Sequence, residues 1–319
     1  MSIDLNIDGI NSGSKMPKIP SRKDFLSDLS IHQIARVFVD FGNEGRVVVA
    51  PIGFPQAGKS LLLSSLMYYA RVGNDATFRT NLKNEFPFDK GRMTADQMIE
   101  YFENGKLFQS TEKGALDLIG VDISPERTGI PPLNLAFLDL AGEDIKGIRT
   151  NEGAVFTEKI NAVFNGLKVG ASPIIFLLIT PFEPPRKDNE SIQNAHARED
   201  ALHYDFLNFL KEEQPQLLIN SKFFIVVSQW DKNTNGNLKV EDYIQEKRPS
   251  IYNYVRNLPV IWGEYSIGNL LESQINGIQI QEIVKINHQY PSRFWKKLYQ
   301  VCTKENLEKI TFWQRLFGK

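Results

Sequence analysis

The apolar residues of this chain fall into short unbroken runs and into longer segments where they recur every three or four positions. Short β-branched or aromatic runs are typical of buried strands, and the longer spacing is typical of helices. The runs predict strands at 46–52, 115–123, 133–140, 173–180, 222–228 and 258–266. The spaced segments predict helices at 22–40, 61–70, 95–104, 152–167, 191–213 and 240–257.

The order of these elements predicts the fold class. A turn rich in proline and glycine separates the second run from the third, which predicts a hairpin. Strands and helices alternate afterwards, as they do in a doubly wound, mostly parallel α/β sheet with helices on both faces. We therefore expect such a sheet with one antiparallel strand, and with helical extensions at both ends.

The same pattern divides the chain into segments. We expect residues 1–21 to form a flexible leader and 22–45 to hold an N-terminal docking helix. The α/β domain is predicted to cover 46–270, with insertions at 71–111 and 181–215, followed by a helical extension at 271–319. The last ten residues, ITFWQRLFGK, are predicted to form an amphipathic tail that binds a partner groove, a membrane interface or its own domain.

Composition narrows the choice of compartment and partner. The chain has 319 residues, 42% of them hydrophobic, and its net charge of −1 gives no electrostatic reason to bind nucleic acid or an anionic membrane. Its single cysteine, Cys302, excludes an internal disulfide framework. The polar first residues do not resemble a signal peptide, and the longest apolar run, 174–179, is too short to span a bilayer. We expect a cytoplasmic protein.

The segment GFPQAGKS at 53–60 carries the strongest chemical signal, because it fits GxxxxGKS between a predicted strand and a predicted helix. Unpaired N–H groups of the first helical turn bind phosphate there, the lysine reaches the β- and γ-phosphates, and the serine ligates Mg²⁺. The alternative is a plain glycine turn, which the flanking strand and helix disfavour. The predicted contacts are Gly53, Pro55, Gln56, Ala57, Gly58, Lys59, Ser60 and Leu61.

The segment DLAGE at 139–143 is the second signal, since it follows the apolar run LNLAFLDL. Ligands of open α/β sheets bind beyond the carboxyl ends of the strands. Asp139 is therefore predicted to face residues 53–60, which we call the phosphate loop, and to hold Mg²⁺. Gly142 lets its N–H approach a γ-phosphate. A simple turn that ends the strand is the alternative.

GxxxxGKS followed by a strand ending in DxxG resembles the paired signature of the Ras-like P-loop GTPases of the TRAFAC class. The resemblance covers about Arg46 to Gly268. It implies a Mg²⁺-dependent hydrolase that converts GTP to GDP and phosphate, with Ser60 and Asp139 as metal ligands.

The resemblance also implies a loop that reads the base. SQWD at 228–231 stands where the family has NKxD, with Ser228 for Asn and Gln229 for Lys. Asp231 would accept hydrogen bonds from guanine N1–H and N2–H₂, whereas adenine has an acceptor at N1. Ser266 in EYSIG stands in the SAK-like loop, where its N–H would meet guanine O6. GTP is therefore expected, and an ATPase of the same loop class is the alternative.

The resemblance assigns the remaining catalytic positions. Thr111 stands where switch I would close on Mg²⁺, with Thr94 and Thr128 as rivals. Glu143 follows DxxG in place of the glutamine that orients the attacking water. Its negative charge near the γ-phosphate predicts slow intrinsic turnover.

No arginine stands just before Thr111, so no built-in arginine finger is visible. Arg127 and Arg149 are candidates if the fold brings them to the site, and otherwise an activating protein or a second protomer supplies the charge. A GTP-dependent scaffold that hardly hydrolyses GTP is a further alternative.

Two finer resemblances suggest how the protein works. GFPQAGKS is similar to the GxPNxGKS loop of potassium-activated GTPases, which dimerise through their G domains, and Gln56 stands where their asparagine binds potassium. NGKLFQST, DLAGED and EYSIG resemble the double-GTPase group of bacterial conflict, or defence, systems. That group implies a molecular switch or assembly subunit that works with a second GTPase subunit and an effector.

Overall fold

The structure is a computed structural model that describes residues 29–54, 57–106, 108, 116–140, 158–275 and 278–308. The strands are Val47–Ile52 (β1), Phe78–Leu82 (β2), Leu116–Pro125 (β3), Leu133–Leu140 (β4), Ile174–Pro181 (β5), Ser221–Ser228 (β6), Val260–Glu264 (β7), Gly268–Ile275 (β8) and Ile278–Ile286 (β9). The helices are Ile31–Asn43 (α1), Lys59–Val72 (α2), Asp89–Glu103 (α3), Glu158–Val169 (α4), Ile192–Glu213 (α5), Pro215–Asn220 (α6), Val240–Lys247 (α7), Pro249–Val255 (α8) and Gln289–Thr303 (α9).

Seven strands form one sheet in the order β2-β3-β4-β1-β5-β6-β7. β3 is antiparallel to both of its neighbours, and the pairs β4–β1, β1–β5, β5–β6 and β6–β7 are parallel. The prediction of a mostly parallel α/β sheet with one antiparallel strand and helices on both faces is confirmed. The predicted hairpin at 115–140 is the β3–β4 pair.

Both faces of the sheet are covered, which explains why its central strands are apolar throughout. Every residue of β1 and β5 is buried, as expected for parallel strands between two helical layers. Helices α1 and α4–α8 contribute to the core on one face, and α2, α3 and α9 contribute to the core on the other. The sheet thus holds its strand ends in fixed positions.

The N-terminal helix α1 begins later than its apolar pattern predicts. Ser30 caps it, and Gln33 completes a capping box by accepting from the Ser30 N–H at 2.9 Å. The helix packs closely on α4 because glycine lies at the contact: a Cβ on Gly166 would come within 2.4 Å of the Ala35 carbonyl oxygen. The predicted docking helix over 22–40 is therefore found at 31–43, and residues 22–28 lie outside the described residues.

Three further boundaries differ from the sequence-based expectation. The region 71–111 contains a strand, β2, as well as the expected helix, which begins at Asp89 rather than at 95. The predicted helix at 240–257 is two helices, because Pro249 has no N–H to continue the first one and starts the second. Most of 181–215, expected as an insertion, is helix α5, which connects β5 to β6.

The C-terminal extension was predicted to be helical from residue 271, and this is wrong for its first part. β8 and β9 pair as an antiparallel hairpin before α9 begins. The reason is visible in IQIQ at 278–281, the start of β9, which alternates apolar and polar residues with the period of a strand. Residues 309–319, which include the predicted amphipathic tail, lie outside the described part. Of the helices that the structure describes, none combines the length and the apolar character needed to cross a bilayer.

Candidate functional site

The described part of the segment predicted to bind phosphate follows the carboxyl end of β1, beside the carboxyl ends of β4 and β5. Gly58 precedes α2 with φ 86°, a left-handed conformation that favours glycine. The Gly58 carbonyl accepts from the Leu62 N–H at 2.8 Å, so the helix starts directly from the loop. The geometry is that of a strand, a turn and a helix N-terminus, as the motif requires.

Lys59 and Asp139, predicted from two separate motifs, meet in the structure. Lys59 Nζ lies 2.9 Å from Asp139 Oδ1, and both side chains are buried, with 7% and 0% of their surface exposed. Lys59 also donates to the backbone carbonyl of Leu140. A buried charge is tolerated only when it is paired, so each residue supports the other. Ser60 lies next to Lys59 in the first turn of α2.

Asp117 is a buried carboxylate beside this pair that sequence reasoning did not identify. It lies opposite Asp139 in the β3–β4 register, which places the two side chains on the same face of the sheet. Thr94 Oγ1 donates to Asp117 Oδ1 at 3.1 Å. Thr94 had been a rival for the switch I threonine, but it is buried on α3. The signal available in the sequence was an aspartate inside the otherwise apolar run ALDLIG.

Asp231 and Ser266 also meet, at the carboxyl ends of β6 and β7. Ser266 Oγ donates to Asp231 Oδ1 at 2.6 Å, and the Gly268 N–H donates to Ser266 Oγ at 3.3 Å. Ser266 is buried, whereas Asp231 is exposed. The hydroxyl therefore fixes one oxygen of a carboxylate that otherwise faces solvent.

Gln229 and Trp230 separate Ser228 from Asp231 and have different surroundings. Gln229 has φ 58°, so the chain turns sharply there. Its Oε1 is buried and has no hydrogen-bond partner among the described residues. The Trp230 ring packs edge-on against Phe182 at 5.7 Å and Tyr243 at 6.1 Å between centroids. Trp230 is thus held by the core beside the loop.

Ser228 connects the loop of Asp231 to the phosphate loop. Its Oγ donates to the Ala57 carbonyl oxygen at 2.8 Å, and a Cβ on Gly58 would lie 3.6 Å from the same Oγ. Ser228 stands where the GTPase resemblance expects an asparagine that ties the two loops together. The shorter side chain makes such a contact here because the backbone of the phosphate loop approaches it closely.

The Ser228 contact gives a testable prediction with a matched control on the same strand. Ser221, at the other end of β6, also donates to a backbone carbonyl at 2.8 Å, that of Leu218. We expect Ser228→Ala and Ser221→Ala each to lower the free energy of unfolding by about 1 kcal/mol. Only Ser228→Ala should also speed nucleotide release, measured by displacement of a fluorescent guanine nucleotide. Equal release rates in the two variants would contradict the connecting role.

A buried polar cluster lies behind the phosphate loop. The Phe54 ring meets the His203 ring edge-on, with 4.9 Å between centroids. His203 is fully buried and its Nδ1 lies 2.9 Å from the Glu199 carbonyl oxygen. Burial lowers the pKa of His203 to about 4 and raises the pKa of the nearby Glu199 carboxyl. The imidazole is therefore neutral in the folded protein at neutral pH.

Arg248, at the junction of α7 and α8, ties this cluster to the end of β5. It is completely buried, and it donates to Thr180 Oγ1 at 3.0 Å and to the Pro181 carbonyl oxygen at 3.2 Å. Asp200 accepts from the Ile251 N–H at 3.0 Å. The cluster thus fixes the carboxyl end of β5, which lies next to the phosphate loop. No local pattern in the sequence marks either His203 or Arg248.

The lowered pKa of His203 predicts how stability depends on pH. The folded imidazole titrates near 4 and the unfolded one near 6.5, so the unfolded state binds more protons between these values. We expect His203 to cost up to about 3 kcal/mol of unfolding free energy as the pH falls from 6.5 to 4. Glu199 has the opposite effect on stability. Because its pKa is raised in the folded protein, the folded state binds a proton at a higher pH than the unfolded state does, and this favours folding as the pH falls.

Urea unfolding of the wild type and of His203→Asn between pH 7 and pH 4 checks this prediction. The variant should lose less stability over that range than the wild type. His288→Asn is the matched control, since His288 is exposed, and it should keep the wild-type pH dependence. The same slope in His203→Asn and the wild type would contradict the account.

Several predicted site residues lie outside the described residues: Pro55, Gln56, Thr111, Gly142 and Glu143. Their roles stay predictions. Arg127, one candidate for an arginine finger, lies in the β3–β4 turn, away from the carboxyl ends of the parallel strands. Its Nη2 lies 3.9 Å from Glu305 Oε2, and its Nη1 donates to the Asn306 carbonyl oxygen at 3.4 Å. Arg149, the other candidate, lies outside the described residues.

No model of a known protein family matches the chain, and no curated protein sequence matches it. The functional argument therefore rests on the motifs and on the geometry described above.

Proposed function

We propose that this chain binds GTP together with Mg²⁺, hydrolyses it slowly, and acts as a nucleotide-controlled switch or assembly subunit. The observation that carries the proposal is the convergence of four separate motifs at one edge of the sheet. Lys59 Nζ lies 2.9 Å from Asp139 Oδ1, and Ser266 Oγ lies 2.6 Å from Asp231 Oδ1. The hydrogen bond from Ser228 to the Ala57 carbonyl joins the loop of Asp231 to the phosphate loop. These distances support a single nucleotide site that runs from the phosphate loop to Asp231.

The phosphate end has suitable chemistry for Mg²⁺ and a triphosphate. Ser60 and Asp139 supply the oxygen donors that Mg²⁺ prefers, and Asp139 already accepts a cation, the Lys59 ammonium. When bound, Mg²⁺ neutralises charge on the phosphates. Lys59 would then exchange its contact with Asp139 for phosphate oxygens, helped by the N-terminus of α2.

The base end favours guanine. Because Ser266 holds one Asp231 oxygen, the carboxylate is oriented before a ligand arrives. Guanine can donate N1–H and N2–H₂ to a carboxylate, whereas adenine N1 would oppose it acceptor to acceptor. A site built for such donors discriminates strongly against a base that lacks them. The ATPase alternative has no comparable support.

Slow turnover follows from the charges proposed near the γ-phosphate. Glu143 would add a negative charge there, and Arg127 lies at the β3–β4 turn. A basic residue from an activating protein, a second GTPase subunit or a second copy of the chain would therefore speed hydrolysis, as arginine fingers do by about 10³-fold or more.

Phosphate release by the purified chain tests the proposal. We expect slow, multiple-turnover release from GTP in Mg²⁺, little release from ATP, and none when Mg²⁺ is chelated. Equal rates with GTP and ATP would contradict guanine selection. Binding of GTP without any release would reduce the proposal to a GTP-dependent scaffold.

A further inference from the structure

Helix α9 brings a tyrosine to the loops that hold Asp231 and Ser266. Tyr290 lies in the first turn of α9, and its ring centroid is 6.1 Å from that of Tyr265 with the planes inclined by 42°. Tyr265 directly precedes Ser266, and its carbonyl oxygen accepts from the Trp230 N–H at 3.1 Å. The Tyr290 ring thus lies beside the ring of Tyr265, the residue whose backbone joins the Asp231 loop to the Ser266 loop.

The position of Tyr290 is fixed by a well-packed helix. One turn further along α9, Phe294 stacks on Phe224 of β6, with centroids 5.0 Å apart and planes 10° apart. Next to it, the buried Trp295 meets Phe137 of β4 edge-on at 5.7 Å. The start of α9 is therefore anchored to two strands of the sheet, which limits the movement of Tyr290.

Two carboxylates, those of Glu264 and Asp231, lie near enough to Tyr290 to influence its phenol. Burial raises the pKa of Tyr290, and the carboxylates of Glu264 and Asp231 raise it further. Arg293 lies one turn further along α9, and its Nη1 is 3.8 Å from Glu264 Oε1. The phenol is thus neutral at neutral pH, and the Tyr290 side chain is only half-buried.

We propose that Tyr290 forms a wall of the nucleoside end of the site and contacts the base of a nucleotide bound through Asp231. This inference rests on the proposed function. The ring of the neighbouring aromatic residue Trp230 packs instead on Phe182 and Tyr243. Gln229, which replaces the lysine expected to cover the base, has a shorter and uncharged side chain. An aromatic ring from α9 supplies the missing apolar surface.

Binding of GDP, measured by calorimetry in Mg²⁺, tests the inference. Contact between an aromatic ring and a base is worth about 1–3 kcal/mol, so Tyr290→Leu and Tyr290→Ala should raise the Kd for GDP about tenfold. Tyr290→Phe keeps the ring and should bind GDP like the wild type. Tyr254→Ala is the matched control, since Tyr254 is a half-buried tyrosine on α8 at the opposite face of the sheet, and it should leave the Kd unchanged.

The outcomes separate this inference from the proposed function. If the wild type binds GDP and Tyr290→Leu binds it equally well, only the inference fails. If Tyr290→Phe binds as weakly as Tyr290→Leu, the ring is not the contact and the inference also fails. If the wild type binds no nucleotide, both fail. The inference holds if Tyr290→Leu loses affinity for GDP while Tyr290→Phe and Tyr254→Ala keep the wild-type affinity.

Discussion

Replacement of Lys59 by methionine is expected to weaken binding of GTP by about 100-fold or more in the presence of Mg²⁺. The ammonium is the buried cation of the site, and each of its charge-assisted bonds to phosphate is worth about 1.5–3 kcal/mol. Methionine keeps most of the volume and removes the charge. The protein without nucleotide should lose stability as well, because Asp139 stays buried without its lysine.

Lys222→Met provides the matched control for this experiment. Lys222 is also a partly buried lysine, and its Nζ donates to the Val301 carbonyl oxygen at 2.7 Å, but it lies near the amino end of β6. Its replacement removes one positive charge and one hydrogen bond without touching the proposed site. GTP binding should stay at the wild-type level in Lys222→Met. If Lys59→Met bound GTP as well as this control, the phosphate loop would not be a nucleotide site.

Asp231→Asn is expected to change which base the protein accepts. The asparagine amide cannot accept from both guanine N1–H and N2–H₂, so we expect the Kd for GTP to rise about 100-fold, the cost of two hydrogen bonds to a charged group. Xanthosine triphosphate carries a carbonyl in place of the guanine amino group, and it should bind the variant better than it binds the wild type. Calorimetric titration of the wild type and of Asp231→Asn with GTP and with xanthosine triphosphate measures this change in base preference.

Asp242→Asn is the control for this change, because Asp242 is an exposed aspartate on α7. It should leave the preference for GTP unaltered. An unaltered preference in Asp231→Asn as well would mean that the SQWD segment does not read the base. The ATPase alternative would then be the better interpretation of the phosphate loop.

The parts of the site that local sequence predicted are those where one short segment contains the whole signal. GxxxxGKS between a strand and a helix identified Lys59 and Ser60, and an acid at the end of an apolar run identified Asp139. The structure brings Lys59 to Asp139, and Asp231 to Ser266. Parallel strands end at the same edge of a sheet, so segments that follow such strands meet even when they are far apart in sequence.

The parts that were missed depend on register or on contacts between distant segments. Asp117 belongs to the site only because the β3–β4 register places it opposite Asp139. Arg248 and His203 look like ordinary helix residues until α5 and the α7–α8 junction pack behind the phosphate loop. Tyr290 reaches the loops of Asp231 and Ser266 through the packing of α9 on the sheet. No local pattern carries information of this kind.

The errors in the fold have a similar origin. The hairpin β8–β9 was predicted to be part of a helical extension, although IQIQ at the start of β9 has the period of a strand. The helix predicted at 240–257 ignored Pro249, which divides it. The sheet itself was easier to predict because its central strands are buried on both faces and are therefore apolar throughout.

Calorimetric titration of the nucleotide-free wild type with a non-hydrolysable GTP analogue, and separately with its ATP counterpart, tests the central claim most directly. In Mg²⁺ the account predicts one site that binds the GTP analogue, with affinity for the ATP analogue lower by at least about 100-fold. Equal binding of the two analogues, or binding of the ATP analogue alone, would contradict guanine selection through Asp231. Binding of neither would contradict the nucleotide site itself.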